Sequence, residues 1–422
     1  MILLDTSLGL GVIVAISVGA FLLIIMLLVA VLLYARKKLT PQGLVKLDIN
    51  DGERIVEIEP GDSVLTALST QDIFLPSACG GGGTCGMCKC QVLEGAGDIL
   101  PTEVGFFSRK EAQNYWRLAC QVKVRGDLKL GIPKEIMGIK KWECEVLSNR
   151  NVATFIKEFV VKLPEGEVMD FQSGGYVQID VPKIEVDFKG MDIEEQFHDE
   201  WDKFNMWDLT MKNPEPTYRA YSMANHPGEG SIVMLNIRIA TPPWDASKNG
   251  FASVNPGICS SYIFSLKPGD KVAVSGAYGE FHIKDTDNEM LYIGGGAGMA
   301  PLRSHIFHLF HTLKTGRKVS YWYGARSLRE VFYQDEFEKI AKEFPNFTFN
   351  LALSESKPED NWTGLTGFIH QVLHDTYLSK HEEPEDIEYY LCGPPMMNDA
   401  VLKLLYDTGV PDEMIAFDDF GG

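Results

Sequence analysis

The spacing of apolar residues divides the 422-residue chain into four regimes. Residues 8–34 form a run of 27 without a charge. As a helix rising ~1.5 Å per residue this run is about 40 Å long, enough to cross a ~30 Å hydrocarbon core with tilt. From Leu44 the period drops to two. Val45, Leu47 and Ile49 alternate with polar residues, Asn50-Asp51-Gly52 turns the chain, and Ile55-Val56-Glu57-Ile58 returns, which predicts a hairpin. Ser63 is placed to cap a short helix through Leu68; residues 88–93 predict a further strand, and Cys120 sits in a third apolar segment. Between 140 and 285 the pattern predicts short strands at 142–147, 154–163, 176–181, 218–222, 232–239 and 271–275, the rhythm of a barrel or sandwich. From Glu289, strands at 290–293, 319–323, 347–353 and 389–392 alternate with helices near 301–314, 334–343, 368–377 and 395–406. That alternation predicts a parallel sheet with helices on its faces and a dinucleotide site outside the strand C-termini.

The first run is too long for a cleaved signal peptide, and no basic residue precedes it. Arg36, Lys37 and Lys38 follow it directly. By the positive-inside rule the N-terminus is then outside and everything after Lys38 is cytoplasmic. Between Asp5 and Arg36 the one ionisable group is the phenol of Tyr34. This helix therefore offers no ion path by itself and acts as an anchor or a partner-packing helix.

The net charge of −19, from 58 acidic and 39 basic residues, excludes a nucleic-acid binder, which needs a basic footprint. The acidic excess is uneven. Residues 182–216 hold ten acidic and four basic residues, with Trp201 and Trp207, and break the strand rhythm. This stretch is expected to be a solvated surface insertion, with partner contact through its aromatics as the alternative.

Eight cysteines are present, without the spacing of a secreted disulfide framework. Cys79, Cys85, Cys88 and Cys120 read Cys-x5-Cys-x2-Cys-x31-Cys, and glycines fill the first gap. Four thiolates presented by a loop rich in amide N–H groups suit a two-iron, two-sulfur cluster. A structural zinc site uses paired knuckles or histidine, and no His lies between Cys79 and Cys120. Cys90, two residues beyond Cys88, is expected to be a buried, non-ligating thiol.

Further on, Arg219-Ala220-Tyr221-Ser222 ends a predicted barrel strand and offers a cation, a stacking ring and a hydroxyl. Gly257-Ile258-Cys259-Ser260-Ser261-Tyr262 resembles a helix start with free N–H groups, suited to phosphate, or an ordinary serine N-cap. Gly276-Ala277-Tyr278-Gly279-Glu280-Phe281 follows. Gly294-Gly295-Gly296-Ala297-Gly298-Met299-Ala300-Pro301 runs from a strand into a helix, the context of a phosphate-binding loop. Pro301 stands where a final glycine might, at an expected helix N1 position, which favours a reductase-type nicotinamide domain. Cys392-Gly393-Pro394-Pro395-Met396 occupies the corresponding place after the last long strand.

In this order the motifs resemble the ferredoxin–NADP reductase superfamily over about residues 140–422. The hairpin–helix–loop segment resembles a β-grasp ferredoxin. The whole chain, anchor included, resembles the F subunits of sodium-translocating NADH:quinone reductases, with added support from residues 321–327, residues 359–364, the insertion and the Phe-Asp-Asp-Phe-Gly-Gly end. The resemblance implies a multidomain protein: a transmembrane helix (1–38), a β-grasp 2Fe-2S ferredoxin domain (39–134), an antiparallel β-barrel FAD domain (135–285, insertion 182–216) and an α/β NADH-binding domain with a parallel sheet (286–422).

It also implies roles. Cys79, Cys85, Cys88 and Cys120 hold the cluster. Arg219, Tyr221 and Ser222 hold FAD, with Ser260 and Ser261 at its pyrophosphate and Gly257 and Gly279 beside it. Gly294, Gly295, Gly296, Gly298, Pro301, Arg326, Ser327 and Gly393 face the dinucleotide. Cys392 lies near the carbon that gives up hydride, Ser222 acts with it, and Phe420 covers the flavin until nicotinamide displaces it. The implied activity is NADH oxidation on FAD, with single electrons passed through the cluster to other subunits of a complex in the bacterial inner membrane. Those electrons reach ubiquinone, coupled to sodium export. A reductase component feeding a bacterial oxygenase shares the three domains but needs no anchor. A non-enzymatic cluster scaffold leaves the flavin and nicotinamide motifs without a use. Arg326 and Ser327 could meet a 2′-phosphate and Glu330 could oppose one, so NADH over NADPH rests on the resemblance.

Overall fold

The computed structural model describes residues 3–39 and 43–418. The chain forms two compact units, one of Met1–Leu75 with Cys88–Met137 and one of Pro76–Met87 with Gly138–Gly422.

In the first unit, helix α1 (Leu3–Leu39) is continuous, and its span Val12–Tyr34 is apolar and wholly exposed. A helix apolar on every face is matched to lipid rather than to a one-sided protein core. Strands β1 (Val45–Ile49) and β2 (Arg54–Ile58) form the expected hairpin. Asn50 and Asp51 turn it with φ of +54° and +55°, a conformation that short polar side chains tolerate. Ser63 caps α2 (Val64–Ser69) by accepting the Thr66 N–H at 3.2 Å. After β3 (Lys89–Glu94) come α3 (Arg109–Gln113), β4 (Trp116–Leu118), β5 (Leu128–Gly131) and α4 (Lys134–Met137). The sheet order is β2-β1-β5-β3-β4, with β1 and β5 parallel and the other pairs antiparallel. Below it, Arg117 pairs with the buried Glu103 at 2.7 Å, and the carboxylate also accepts the Leu118 N–H. A buried charge is tolerated only when satisfied in this way.

The second unit begins its barrel with β6 (Lys140–Ala153), β7 (Ile156–Lys162) and β8 (Tyr176–Val181). There follow β9 (Ile184–Asp187), α5 (His198–Lys203), β10 (Thr210–Asn213), β11 (Thr217–Ser222), β12 (Ile232–Arg238), β13 (Trp244–Asp245), β14 (Gly250–Phe251), α6 (Ile258–Ser265) and β15 (Lys271–Tyr278). Six of these make an antiparallel sheet, β11-β8-β15-β6-β7-β12. It closes on itself where Met223 bridges Leu235 and the Ala224 N–H donates to the Met234 carbonyl at 2.7 Å; closure removes the free edges. Strand β6 outruns its expected end at 147 because two register shifts against β7 bend it around the barrel.

The expectation of a solvated insertion at 182–216 is corrected. Strands β9 and β10 pair as a hairpin, Phe188, Met191, Trp201, Met206 and Met211 are all buried in the barrel's core cluster, and Phe197 is buried as well. Trp201 donates to the Thr154 carbonyl at 2.9 Å and lies 6.3 Å from Phe264, ring to ring. The acidic residues form the outer face of a packed segment.

The α/β part contains β16 (Met290–Gly295), α7 (Met299–Phe307), β17 (Val319–Ala325), α8 (Gln334–Glu343), β18 (Phe347–Leu353), β19 (Leu365–Thr366), α9 (Ile369–Thr376), β20 (Glu388–Cys392), α10 (Pro395–Asp407) and β21 (Ile415–Phe417). All its strand pairs are parallel, in the order β19-β18-β17-β16-β20-β21. The chain moves one way from β16 and then returns to place β20 on β16's other side, so the topological switch lies between these two strands. Crevices at such a switch take ligands. Helix α7 starts at Met299, so Pro301 is its third residue rather than its first; in the first turn its missing N–H has no intrahelical partner to lose.

Trp201→Ala is expected to cost about 3–5 kcal/mol. Hydrogen exchange across residues 184–213 should quicken accordingly, whereas unchanged protection would return this segment to the surface.

Candidate active site

Cys79 and Cys85 lie on the loop Pro76–Met87, and the Cys85 thiol donates to the Cys79 sulfur at 3.3 Å. Burial raises the Cys79 pKa. The amide N–H groups of Thr84 and Cys85, with the side chains of Cys85 and Thr84, outweigh it and bring the thiol down to about 6. Burial, then the neighbouring Cys79, holds Cys85 up. Cys85 thus keeps its proton, donated toward Cys79, and converging amides favour the thiolate of Cys79. Cys88 is buried just ahead of β3, its carbonyl accepting the Ala119 N–H at 2.8 Å. Cys120 is buried two residues after β4, its sulfur 3.7 Å from the Gln121 amide nitrogen. Cys90 is fully buried and pushed up to about 12 by burial, an inert thiol as expected. Among the described residues no three His, Cys, Asp or Glu side chains gather as a single ion would need. Two thiols 3.3 Å apart on a loop whose amides converge on one of them fit a two-iron cluster, which takes two thiolates per iron.

The loop is held in place. The Ser77 N–H donates to Gln178 Oε1 at 3.0 Å, and the Gly81 N–H to Ser77 Oγ at 3.1 Å. Gly80 sits at φ +65°, and a Cβ there would come within 2.3 Å of Arg219 Nη1 and 2.6 Å of the Tyr218 carbonyl oxygen. Only glycine fits this approach.

Arg219, Tyr221 and Ser222 stand on β11, which pairs with β8. The Arg219 guanidinium donates to Thr217 Oγ1 at 3.0 Å and to the Tyr218 carbonyl at 2.7 Å. Burial, then Cys259, raises the Tyr221 phenol well above its usual range. Ser222 Oγ donates to Asp418 Oδ2 at 2.8 Å, and the Asp418 N–H donates to the Leu391 carbonyl at 3.0 Å. Ser260 Oγ accepts the Ala240 N–H at 3.1 Å. Ser261 is fully buried, and its Oγ has no hydrogen-bond partner. At Gly257 a Cβ would strike Ala240 Cβ at 2.5 Å, so α6 opens with no capping side chain. A bare helix start beside an orphaned hydroxyl fits a phosphate group such as that of a flavin dinucleotide.

At the switch, Gly294 is the register partner of Cys392. A Cβ on Gly298 would lie 2.1 Å from the Cys392 carbonyl oxygen, and one on Gly393 2.3 Å from Met397 Cε. Gly295 and Gly296 line a cavity of about 950 Å³, room for a dinucleotide. Cys392 is fully buried at the strand end. Arg326 also faces the cavity, 4.0 Å from Glu330. Glu330 accepts from the Thr154 hydroxyl and N–H, and Ser327 is buried behind it. Phe420 lies outside the described residues.

Two residues were missed by motif reasoning. Arg238 ends β12 and is exposed at the cavity, whose wall it shares with Arg326. Two cations facing one cavity favour an anionic ligand. Its signal was a lone basic residue at a barrel-strand end. Asp418, which meets Ser222, was signalled only by the acidic pair before the final aromatic.

Thiol alkylation of the cofactor-free chain should follow these environments. Cys79 is expected to react with an apparent pKa near 6, while Cys90 stays unmodified through neutral pH. Mass spectrometry of the alkylated peptides reads both, and equal reaction of the two would contradict the loop's electrostatics.

The chain matches the family model for the 2Fe-2S iron-sulfur cluster binding domain over residues 47–125 and that for the oxidoreductase NAD-binding domain over residues 292–403. Among solved structures it is similar in fold to the Amycolatopsis cytochrome P450 reductase GcoB, with TM-score 0.61, 24% identity, and 89% of this chain and 98% of that one covered. It is also similar to the ferredoxin reductase in carbazole 1,9a-dioxygenase, with TM-score 0.57, 25% identity, and 90% and 98% covered. The F subunit of the Na(+)-translocating NADH-quinone reductase of Idiomarina loihiensis is 54% identical over 407 residues, 96% of this chain and 98% of that one. The F subunit of the Haemophilus influenzae reductase is 53% identical over 413 residues, 98% and 99% of the two. The chain therefore belongs to the family of F subunits of the Na(+)-translocating NADH-quinone reductases.

Proposed function

We infer that the chain is the electron-input subunit of a membrane NADH:quinone reductase, an oxidoreductase that uses NADH, FAD and a 2Fe-2S cluster and passes electrons to other subunits. The observation that carries this reading is the bond from Ser222 to Asp418, whose own N–H holds the carbonyl of Leu391, the neighbour of Cys392. It joins the flavin-side hydroxyl of the barrel to the nicotinamide-side strand end at the topological switch. Bound FAD supplies the conversion of a two-electron hydride into single electrons.

The chain's own residues bind and orient. Gly295 and Gly296 line the space for the dinucleotide, Gly294 and Gly298 let the loop pack against Leu302, Tyr321 and the Cys392 carbonyl, and Arg238 and Arg326 attract the dinucleotide's phosphates. Cys392 stands at the strand end beside the glycine loop. Arg219, Tyr221 and Ser222 face the flavin, and the opening turn of α6 faces its phosphates. Cys79, Cys85, Cys88 and Cys120 hold the cluster. Electrons leave for ubiquinone through partner subunits. The segment Val12–Tyr34 anchors the chain in the bacterial inner membrane with its N-terminus outside, in line with the three basic residues after it. Since that segment carries no charge, the sodium path belongs to partner subunits.

Ser222→Ala is expected to slow the bleaching of bound flavin by NADH by roughly 10- to 100-fold, the worth of one charge-assisted hydrogen bond, read by rapid mixing; a rate equal to wild type would remove this hydroxyl from the site. Cys85→Ala should retain NADH:ferricyanide reduction at the flavin and lose quinone reduction by the assembled complex. Quinone reduction that survives this change would take the loop off the electron path.

A further inference from the structure

Tyr176 opens β8 and is the register partner of Ser222 on β11. Its ring is buried and stacks on Tyr278, with centroids 5.3 Å apart and planes 24° from parallel. A Cβ on Gly279, which sits at φ +118°, would come within 3.1 Å of that ring, so the bare backbone at 279 is what admits it. At the far end the phenol oxygen lies 3.9 Å from Met87 Sδ, on the cysteine loop. Burial first, and then the charges of Tyr278, Cys85, Asp418 and Glu280, push the phenol up. Asp418 and Cys85 are therefore both its electrostatic neighbours. A thioether is a weak acceptor for a buried hydroxyl, so the hydroxyl does not account for the residue. The ring does more, because it reaches from the strand position opposite Ser222 to Met87 on the cysteine loop.

Building on the electron route of the preceding section, we propose that Tyr176 is the bridging residue of the flavin-to-cluster step, its ring spanning from the Ser222–Asp418 pair to the Cys85–Met87 end of the cysteine loop. One electron leaves the reduced flavin and one arrives at the cluster; Tyr176 gains and loses none. Its contribution is a run of packed atoms where a gap would otherwise lie, and protein interiors are packed densely enough for one ring to make that difference. Gly279 then serves the route by making room for Tyr176.

The test uses the full chain in detergent, loaded with FAD and cluster and mixed rapidly with NADH. Flavin bleaching and the cluster's spin-resonance signal are followed separately. Hydrogen exchange of residues 76–87 is measured on the cofactor-free chain. Tyr176→Leu is expected to leave flavin bleaching unchanged and to slow cluster reduction roughly tenfold, the consequence of opening a gap in a packed path. Loop exchange should stay as in wild type, because Ser77–Gln178 and the Gly80 fit still hold the loop. Tyr176→Phe should behave as wild type in all three measurements. Cluster reduction at the wild-type rate in Tyr176→Leu overturns the bridge. So does slowed reduction accompanied by fast loop exchange, which would make the ring a seat for the loop only. Should the leucine variant fail to load flavin, Met87→Ala decides: it removes the atom the ring meets and is expected to slow cluster reduction, and a wild-type rate there also overturns the proposal. If the wild-type cluster is not reduced by NADH at all, it is the electron route itself that fails.

Discussion

Everything in the α/β half depends on how closely the ends of β16 and β20 approach. A methyl group on Gly298 would sit 2.1 Å from the Cys392 carbonyl oxygen, well inside contact distance. With no side chains at Gly294 and Gly298, the turn after β16 folds flat against the end of β20. That puts the fully buried Cys392 beside the dinucleotide loop and keeps the crevice at the topological switch open. The same strand end reaches Asp418 through the Leu391 carbonyl, so the tail's carboxylate is fixed by the backbone that shapes the nucleotide site.

The cysteine loop obeys a similar constraint with a different outcome. Glycine at position 80 allows approach to the Arg219 guanidinium and the Tyr218 carbonyl. Within the loop, Cys85 donates to the Cys79 sulfur, which amides from Thr84 and Cys85 also reach. Cys90, one residue into β3, has burial without amides and remains a thiol. Residue type alone does not separate these cysteines. Local backbone does: a glycine-rich loop exposes N–H groups that a strand spends on its neighbours.

Much of this was legible in the sequence because it is local. The hairpin at Asn50–Asp51, the Ser63 cap, the strand–helix alternation after Glu289 and the glycine and cysteine loops follow from short-range chemistry and periodicity. Residues 182–216 did not read correctly. Buried positions 186, 188, 211 and 213 keep period two only along the short hairpin, those between them (191, 197, 201 and 206) keep no fixed period, and ten acidic residues around them mask a core contribution made to the barrel. Bulges in β6 hid its true length for the same reason, since an extra residue resets the alternation. Arg238 and Asp418 were missed because a single charged residue acquires meaning only from what the fold sets opposite it. Tyr176 belongs to that class as well: its register with Ser222 is a property of the β8–β11 pairing.

Ser222 carries one hydroxyl proton and two acceptor lone pairs. With the proton given to Asp418 Oδ2 at 2.8 Å, only acceptor capacity remains toward the site. An oxygen so polarised is complementary to an N–H donor, and a carboxylate acceptor on its proton makes the stronger bond. The tail residue thus does more than tie down the chain end: by holding the serine's proton it sets which partners that hydroxyl can take.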